Sequence, residues 1–143
     1  MTWTQLVLLV CGSATTPNLH SHISEASNRF NVDPTIILSV IHQESRCIPT
    51  ALGASNDTGL MQIVPKWHQE RMKKLEITDL YDPYQNILVG THILSSLDVQ
   101  SRPIDALVVY NGGYARPKMS YNYAETVLQK AQTYKSIMEG NDG

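Results

Sequence analysis

Cysteine is scarce in this chain: among 143 residues, Cys11 and Cys47 are the two cysteines. That excludes a disulfide framework and a paired-cysteine zinc pattern. It leaves room for one bridge, which the spacing does not demand. Charge of one sign is lacking as well. The chain has 11 basic and 13 acidic residues and a formal net charge of -2, so it carries no electrostatic footprint for nucleic acid. Lys66, Arg71, Lys73 and Lys74 cluster, but Glu70 and Glu76 interleave them. They read as a solvated helix face, with a hold on an anionic polymer as the rival reading. The apolar run Leu6 to Val10 is far too short to span a bilayer, so no stable membrane span is expected. His20, His22, His42, His68 and His92 are scattered, and none pairs with a second ligand at metal spacing. Internal repeats, low-complexity tracts and an interdomain linker are also missing.

What remains is a globular composition, 42% hydrophobic and 17% charged, in a length that suits one domain with one core. Residues 1–17 stand apart as an apolar N-terminal segment. Leu6 to Val10 is followed by the small residues Gly12, Ser13 and Ala14, the outline of a short secretory signal, although no Lys or Arg precedes the run. The other reading is a small docking or packing element. The main domain is expected over 18–139, with a fraying tail over 140–143.

The body reads as nearly all helix. Leu19, Ile23, Ala26 and Phe30 recur at helical spacing. Asp33-Pro34 and Asp82-Pro83 each pair an N-cap with a proline at the first helical position. The helix after Asp82 is expected to run to about Leu97, with Ile87, Leu94 and Leu97 inward. A helix from Pro103 presents the stripe Ile104, Leu107 and Val108 and stops at Gly112-Gly113. Residues 46–58 read as a loop, 66–75 as helical, and 114–121 as a loop before a last helix carrying Tyr123, Val127, Ala131, Tyr134 and Met138.

Glu44 is the residue of most chemical interest. Side chains three and four apart share a helix face, so Ile37, Val40 and Ile41 form a stripe on which Glu44 comes next. A carboxyl on a core-facing stripe loses water, and that raises its pKa. The negative end of the helix dipole pushes the same way. A carboxylic acid still protonated near neutral pH can give a proton to a leaving group. The bland alternative is a glutamate that has run off a helix end into solvent.

Three further blocks follow Glu44-Ser45: Gly59-Leu60-Met61-Gln62, fifteen positions on (59 − 44), then Tyr110-Asn111-Gly112-Gly113, then Tyr123-Ala124-Glu125-Thr126-Val127. Between the second and third lie Asp82-Pro83, Asn86-Ile87 and Gly90. In this order and spacing the set resembles the soluble lytic transglycosylase family, lysozyme-like and related to goose-type lysozymes, over about Leu19 to Met138. Two departures are visible. The stretch Gly53-Ala54-Ser55-Asn56-Asp57-Thr58 differs from the family's usual loop, and Gly112 stands where alanine is usual.

The resemblance implies a mainly α, lysozyme-like single domain with a groove between helical lobes. It implies Glu44 as catalytic acid/base and Ser45 as a nearby hydrogen-bonding residue that helps orient it. Met61 and Gln62 would line a saccharide groove, with Gly59 allowing backbone geometry or a sugar's close approach. Tyr110 and Asn111 would close the other side, and the Tyr123 hydroxyl would approach the catalytic carboxyl. Each has a structural rival: Ser45 as a helix-end cap, Met61 as core filler, the tyrosines as core aromatics, the two glycines as a helix stop.

The activity implied is cleavage of the β-1,4 bond between N-acetylmuramic acid and N-acetylglucosamine in peptidoglycan, with a 1,6-anhydro product and no metal or organic cofactor. Two alternatives stay open. One is hydrolysis, with Asp57 positioning water, although a loop aspartate beside Asn56 more simply forms a turn. The other is a catalytically silent wall-binding or virion structural module. Action on chitin-type substrates is a third and weaker idea. The setting implied is local wall opening, for a phage to get in or out or for secretion and conjugation machines. Peptidoglycan strands and virion or secretion-machine proteins would be partners. The location would be a virion component acting in the periplasm, or a secreted or periplasmic enzyme.

Overall fold

The computed structural model describes residues 1–140. Seven α-helices carry the fold: α1 Trp3–Cys11, α2 Leu19–Phe30, α3 Pro34–Ser45, α4 Gln69–Lys74, α5 Pro83–Ser96, α6 Pro103–Gly112 and α7 Lys118–Met138. Short 3₁₀ turns follow α1, precede α4 and follow α6. No strand forms among the described residues; instead Thr58 and Ile63 exchange backbone hydrogen bonds of 2.8 and 3.0 Å across a tight loop. The fold is thus mainly α, in one domain.

α3 lies at the centre. Ile36 to Ile41 are buried without interruption, because α2 and α7 both pack against it. Its start follows the sequence: Asp33 accepts from Thr35 N at 2.8 Å and Pro34 holds the first helical position. α5 starts the same way, with Asp82 accepting from Gln85 N.

α3 and α7 run antiparallel, and three polar links fix their register. Lys135 Nζ meets Asp33 Oδ2 at 2.8 Å at one end. Lys130 Nζ lies 2.8 Å from His42 Nδ1 and donates to Gln43 Oε1 midway. Tyr123 meets Glu44 at the other end. Asp33 therefore serves both as helix cap and as ion-pair partner; its burial is outweighed by these bonds, which hold its carboxyl below the ordinary value.

The N-terminal segment is helical and packed. Thr2 and Gln5 form a reciprocal capping box. Leu6, Val7 and Cys11 join the same buried cluster as the other helices, and Trp3 donates its indole N–H to His20 O. Cys11 is disulfide-bonded to Cys47. Leu8 and Leu9, on the outer face, stay exposed.

Several boundaries differ from expectation. α7 begins at Lys118, inside the stretch read as a loop, because Pro117 supplies extended backbone at its cap and Ser120 is already buried. The region 66–75 splits into a 3₁₀ turn and the short α4. Ile104 is 38% exposed, so the inward stripe of α6 is Ala106, Leu107 and Val108. Leu97 is only partly buried at the end of α5. The fraying expected for the tail falls, from Asn141 on, outside the described residues.

Candidate active site

Glu44 sits in the last turn of α3, one residue before that helix ends. Past Ser45, Arg46 and Cys47 both adopt left-handed backbone, with φ of 53° and 67°. Neither is glycine, so this turn stores strain that its surroundings must hold. Arg46 N donates to His42 O, and Cys47 is fully buried and bonded to Cys11. The chain is thereby forced away from the helix immediately after Glu44.

The Glu44 side chain is partly buried, and Tyr123 Oη donates to its Oε2 at 2.8 Å. Burial lifts the carboxyl from 4.5 to about 7; the Tyr123 bond opposes that rise, and the negative charge of Asp57 adds to it. The reading of Glu44 as a solvent-facing helix end is thus at odds with the geometry. The hydroxyls of Tyr110 and Tyr123 are pushed well above the ordinary tyrosine value, first by burial and then by the charge of Glu44. Both remain neutral donors.

The loop after α3 supplies the next residues. Asp57 Oδ1 accepts from Ser55 N, and the Asp57 carboxylate fills the space beside Gly53, so it shapes the turn. Gly59 has φ of 76°, and a Cβ there would fall 2.3 Å from Asn86 Nδ2 and 2.5 Å from Leu80 O. The close approach at Gly59 is therefore by the protein's own side chain and backbone. Met61 is fully buried, and its sulfur occupies the space over Gly90. Its side chain is core filler, while its carbonyl accepts from Tyr110 Oη at 2.7 Å. Gln62, also left-handed at φ 53°, donates Nε2 to Ala51 O and Gly59 O. It braces its own loop.

Ser45 does not bond to the Glu44 carboxyl. Its Oγ donates to Ile41 O at 3.0 Å, one turn back along the same helix. Asn111, in the last turn of α6, is exposed, and its Oδ1 accepts from Ser120 Oγ at 2.8 Å. The structure thus brings together two hydrogen-bonded pairs, Glu44 with Tyr123 and Tyr110 with the Met61 carbonyl, close enough for the charge of Glu44 to act on both tyrosines, with Gln62 on the same loop as Met61.

Two residues outside the expected set hold this arrangement. Asn86 is fully buried; its Oδ1 accepts from Met61 N at 2.7 Å, and its Nδ2 donates to Thr58 O and Leu80 O at 2.8 Å each. The sequence pattern picks out Asn86-Ile87 without a role for the amide; the available signal was an amide directly before Ile87, Leu88 and Val89, since a buried amide needs partners. The second is Ser120, for which a small polar residue in an apparent loop gave none. A cavity of about 390 Å³ lined by Thr4, Val7, Leu8 and His20 lies at α1 and includes none of the Glu44 network.

Comparison with known proteins follows the same line. The Transglycosylase SLT domain family matches residues 21–135. The chain is 30% identical over 123 residues to "Invasion protein IagB" of Salmonella typhimurium, covering 79% of this chain and 76% of that protein. It is 36% identical over 124 residues to "Transglycosylase" of Enterobacteria phage PRD1, covering 85% of this chain and 44% of that one. Among solved structures, an inactive mutant of lytic transglycosylase Slt from Pseudomonas aeruginosa shares the fold, with a TM-score of 0.73 at 21% identity. That match covers 86% of this chain and 25% of the Slt chain, so the present chain spans a quarter of that larger enzyme. With a partly buried carboxylic acid at the end of its central helix and the family match spanning most of its length, the chain belongs to the Transglycosylase SLT domain family and is a lytic transglycosylase of lysozyme-like fold.

Proposed function

We propose that this enzyme cleaves the β-1,4 bond between N-acetylmuramic acid and N-acetylglucosamine in peptidoglycan and leaves a 1,6-anhydro-muramic end. The observation that carries the proposal is the state of Glu44: a carboxyl raised to about 7 and bonded to the Tyr123 hydroxyl. In the first step Glu44 gives its proton to the glycosidic oxygen, the bond from that oxygen to muramic C1 breaks, and the glucosamine leaves with a hydroxyl. In the second the muramic C6 hydroxyl attacks C1 and its proton passes to the Glu44 carboxylate. The acid is regenerated and no water is consumed. Tyr123 holds the carboxyl through both steps, and Tyr110 holds the loop that carries Gln62 through the Met61 carbonyl. Asn111, and Gln62 through the Oε1 that its loop bonds leave over, are the polar contacts assigned to the glycan.

One observation favours a second reading. The negative charge of Asp57 acts on Glu44, so the two carboxyls are neighbours. An inverting hydrolase uses such a pair, at roughly 6.5–9.5 Å, to activate water. Against it, Asp57 is engaged in its own turn through Ser55 N.

Mass spectrometry of muropeptides released from purified murein separates the readings. Products one water lighter than the hydrolysed form, released at least about a hundredfold more slowly by Glu44→Gln, are the expected result. Hydrolysed products would overturn the anhydro outcome in favour of hydrolysis, and no release by wild type would overturn the proposed cleavage. As to setting, local opening of the wall, at a virion or in the periplasm, suits a small enzyme whose relatives include one named as an invasion protein and one phage transglycosylase. Deletion of the gene, scored for infection or secretion against bulk wall turnover, tests it.

A further inference from the structure

α6 ends at Gly112, a 3₁₀ turn and Arg116-Pro117 follow, and α7 brings Ser120 back beneath the end of α6. Ser120 is 1% exposed, and its hydroxyl hydrogen is spent on Asn111 Oδ1 at 2.8 Å. It does not bond back to its own helix, as Ser45 does in α3. The space for this bond comes from Gly112: a Cβ there would stand 2.2 Å from Ser120 Oγ and 2.6 Å from the Pro117 ring. Gly112 has φ of -119°, which any residue adopts, so the constraint at this position is steric and comes from the serine.

A primary amide carries an acceptor and two donors. With Oδ1 held from below by a buried hydroxyl, the exposed Asn111 has Nδ2 left over, and among the described residues no protein acceptor takes it. An exposed asparagine would otherwise rotate freely and present either end. Here one end is fixed at no cost in ligand binding, which is the value of preorganisation.

We propose that Ser120 is a positioning residue that locks the Asn111 amide with its N–H groups toward the glycan, that Gly112 is required to make room for it, and that the locked donor reads a carbonyl oxygen of an N-acetyl group or a ring hydroxyl. This rests on the reading of the chain as a glycan-cleaving enzyme, but its test does not require turnover.

The test measures affinity of the Glu44→Gln protein for soluble murein glycan fragments by calorimetry, with the Asn111 side-chain amide followed by NMR. Ser120→Ala, Asn111→Ala and the double variant are compared on that background. Ser120→Ala is expected to weaken binding roughly three- to tenfold, the range of one hydrogen bond, and to do nothing further once Asn111 is alanine. Gly112→Ala is expected to reproduce the loss, and the Asn111 amide signals, shifted by ligand in the parent, are expected to broaden in both variants. Equal weakening by Ser120→Ala with or without Asn111 overturns the proposal, as does unchanged affinity or a parent that does not bind. Tight binding without anhydro product from wild type would count against the proposed reaction and leave this inference standing. Thermal melts identify any variant that fails to fold; Ser120→Cys, which keeps a donor, then replaces it and is expected to bind better than a misfolded variant allows, while a folded Ser120→Cys with no Asn111 amide shift overturns the proposal.

Discussion

Tyr123 on α7 donates its hydroxyl to Oε2 of Glu44 on α3, across 2.8 Å and 79 positions of sequence. The bond favours the ionised carboxyl, whereas burial favours the neutral acid and wins. Glu44 is left near the midpoint of its titration at neutral pH, where it can both give and take a proton.

Removing that hydroxyl should move the balance. Tyr123→Phe deletes the interaction that lowers the Glu44 pKa, so the descending limb of kcat/KM against pH should shift to higher pH. At neutral pH the loss of one hydrogen bond to a charged group should cost roughly tenfold in kcat/KM. A limb that stays in place would show that the bond contributes geometry and no electrostatics.

Glu44→Gln should lower kcat on murein by roughly a hundredfold to ten-thousandfold, the range for one general acid, while circular dichroism stays native. The same variant should be more stable than wild type at alkaline pH. The native carboxyl holds its proton to about 7 and the unfolded one only to about 4.5. Between those values the native state binds more protons, so stability falls as pH rises through this window and is flat outside it. The full difference is about 3 kcal/mol at most. Melting curves of the two proteins should therefore converge below the window and separate above it; parallel curves would contradict a buried acid.

Asn86→Ala should leave Met61 N, Thr58 O and Leu80 O without their side-chain partner in a buried site. The cost is about 3 kcal/mol or more, which lowers Tm by roughly 6–12 °C for a chain of this size. Activity should fall beyond what the unfolded fraction explains, because the loop carrying Gln62 is released. Calorimetry beside kcat/KM at a temperature where the variant is folded checks both.

Reduction should destabilise the fold without touching any catalytic group. The Cys11–Cys47 bond closes a loop of 36 positions, for which chain entropy gives about 3–4 kcal/mol. The Cys11→Ser/Cys47→Ser protein should melt lower than wild type in oxidising buffer and match it once wild type is reduced.

The parts of this molecule that follow local rules could be read from the chain. The stripe Ile37, Val40, Ile41 and Glu44 has helical period, and Asp33-Pro34 and Asp82-Pro83 announce helix starts through the chemistry of capping. What depends on a distant neighbour could not be. Ser45 and Ser120 are both small and buried, yet one bonds to its own helix and the other across to α6, and only the packing decides which. Ile104 fits the stripe of α6 but stays 38% exposed, because how far the neighbouring elements reach over it is not written in the local pattern. The start of α1 was legible in the same way, since Thr2 and Gln5 stand at capping-box spacing. Its pairing through Cys11 was not, because the Cα atoms come within 5.6 Å only in the fold.

The link between α1 and α2 has a practical consequence. Gly12, Ser13, Pro17 and Asn18 lie exposed between an N-terminal helix and the body it is bolted to by sulfur. Protease nicking within that connector would yield two peptides on a reducing gel but a single species on a non-reducing one. The clipped enzyme would keep its first helix in place until a thiol reagent set it free.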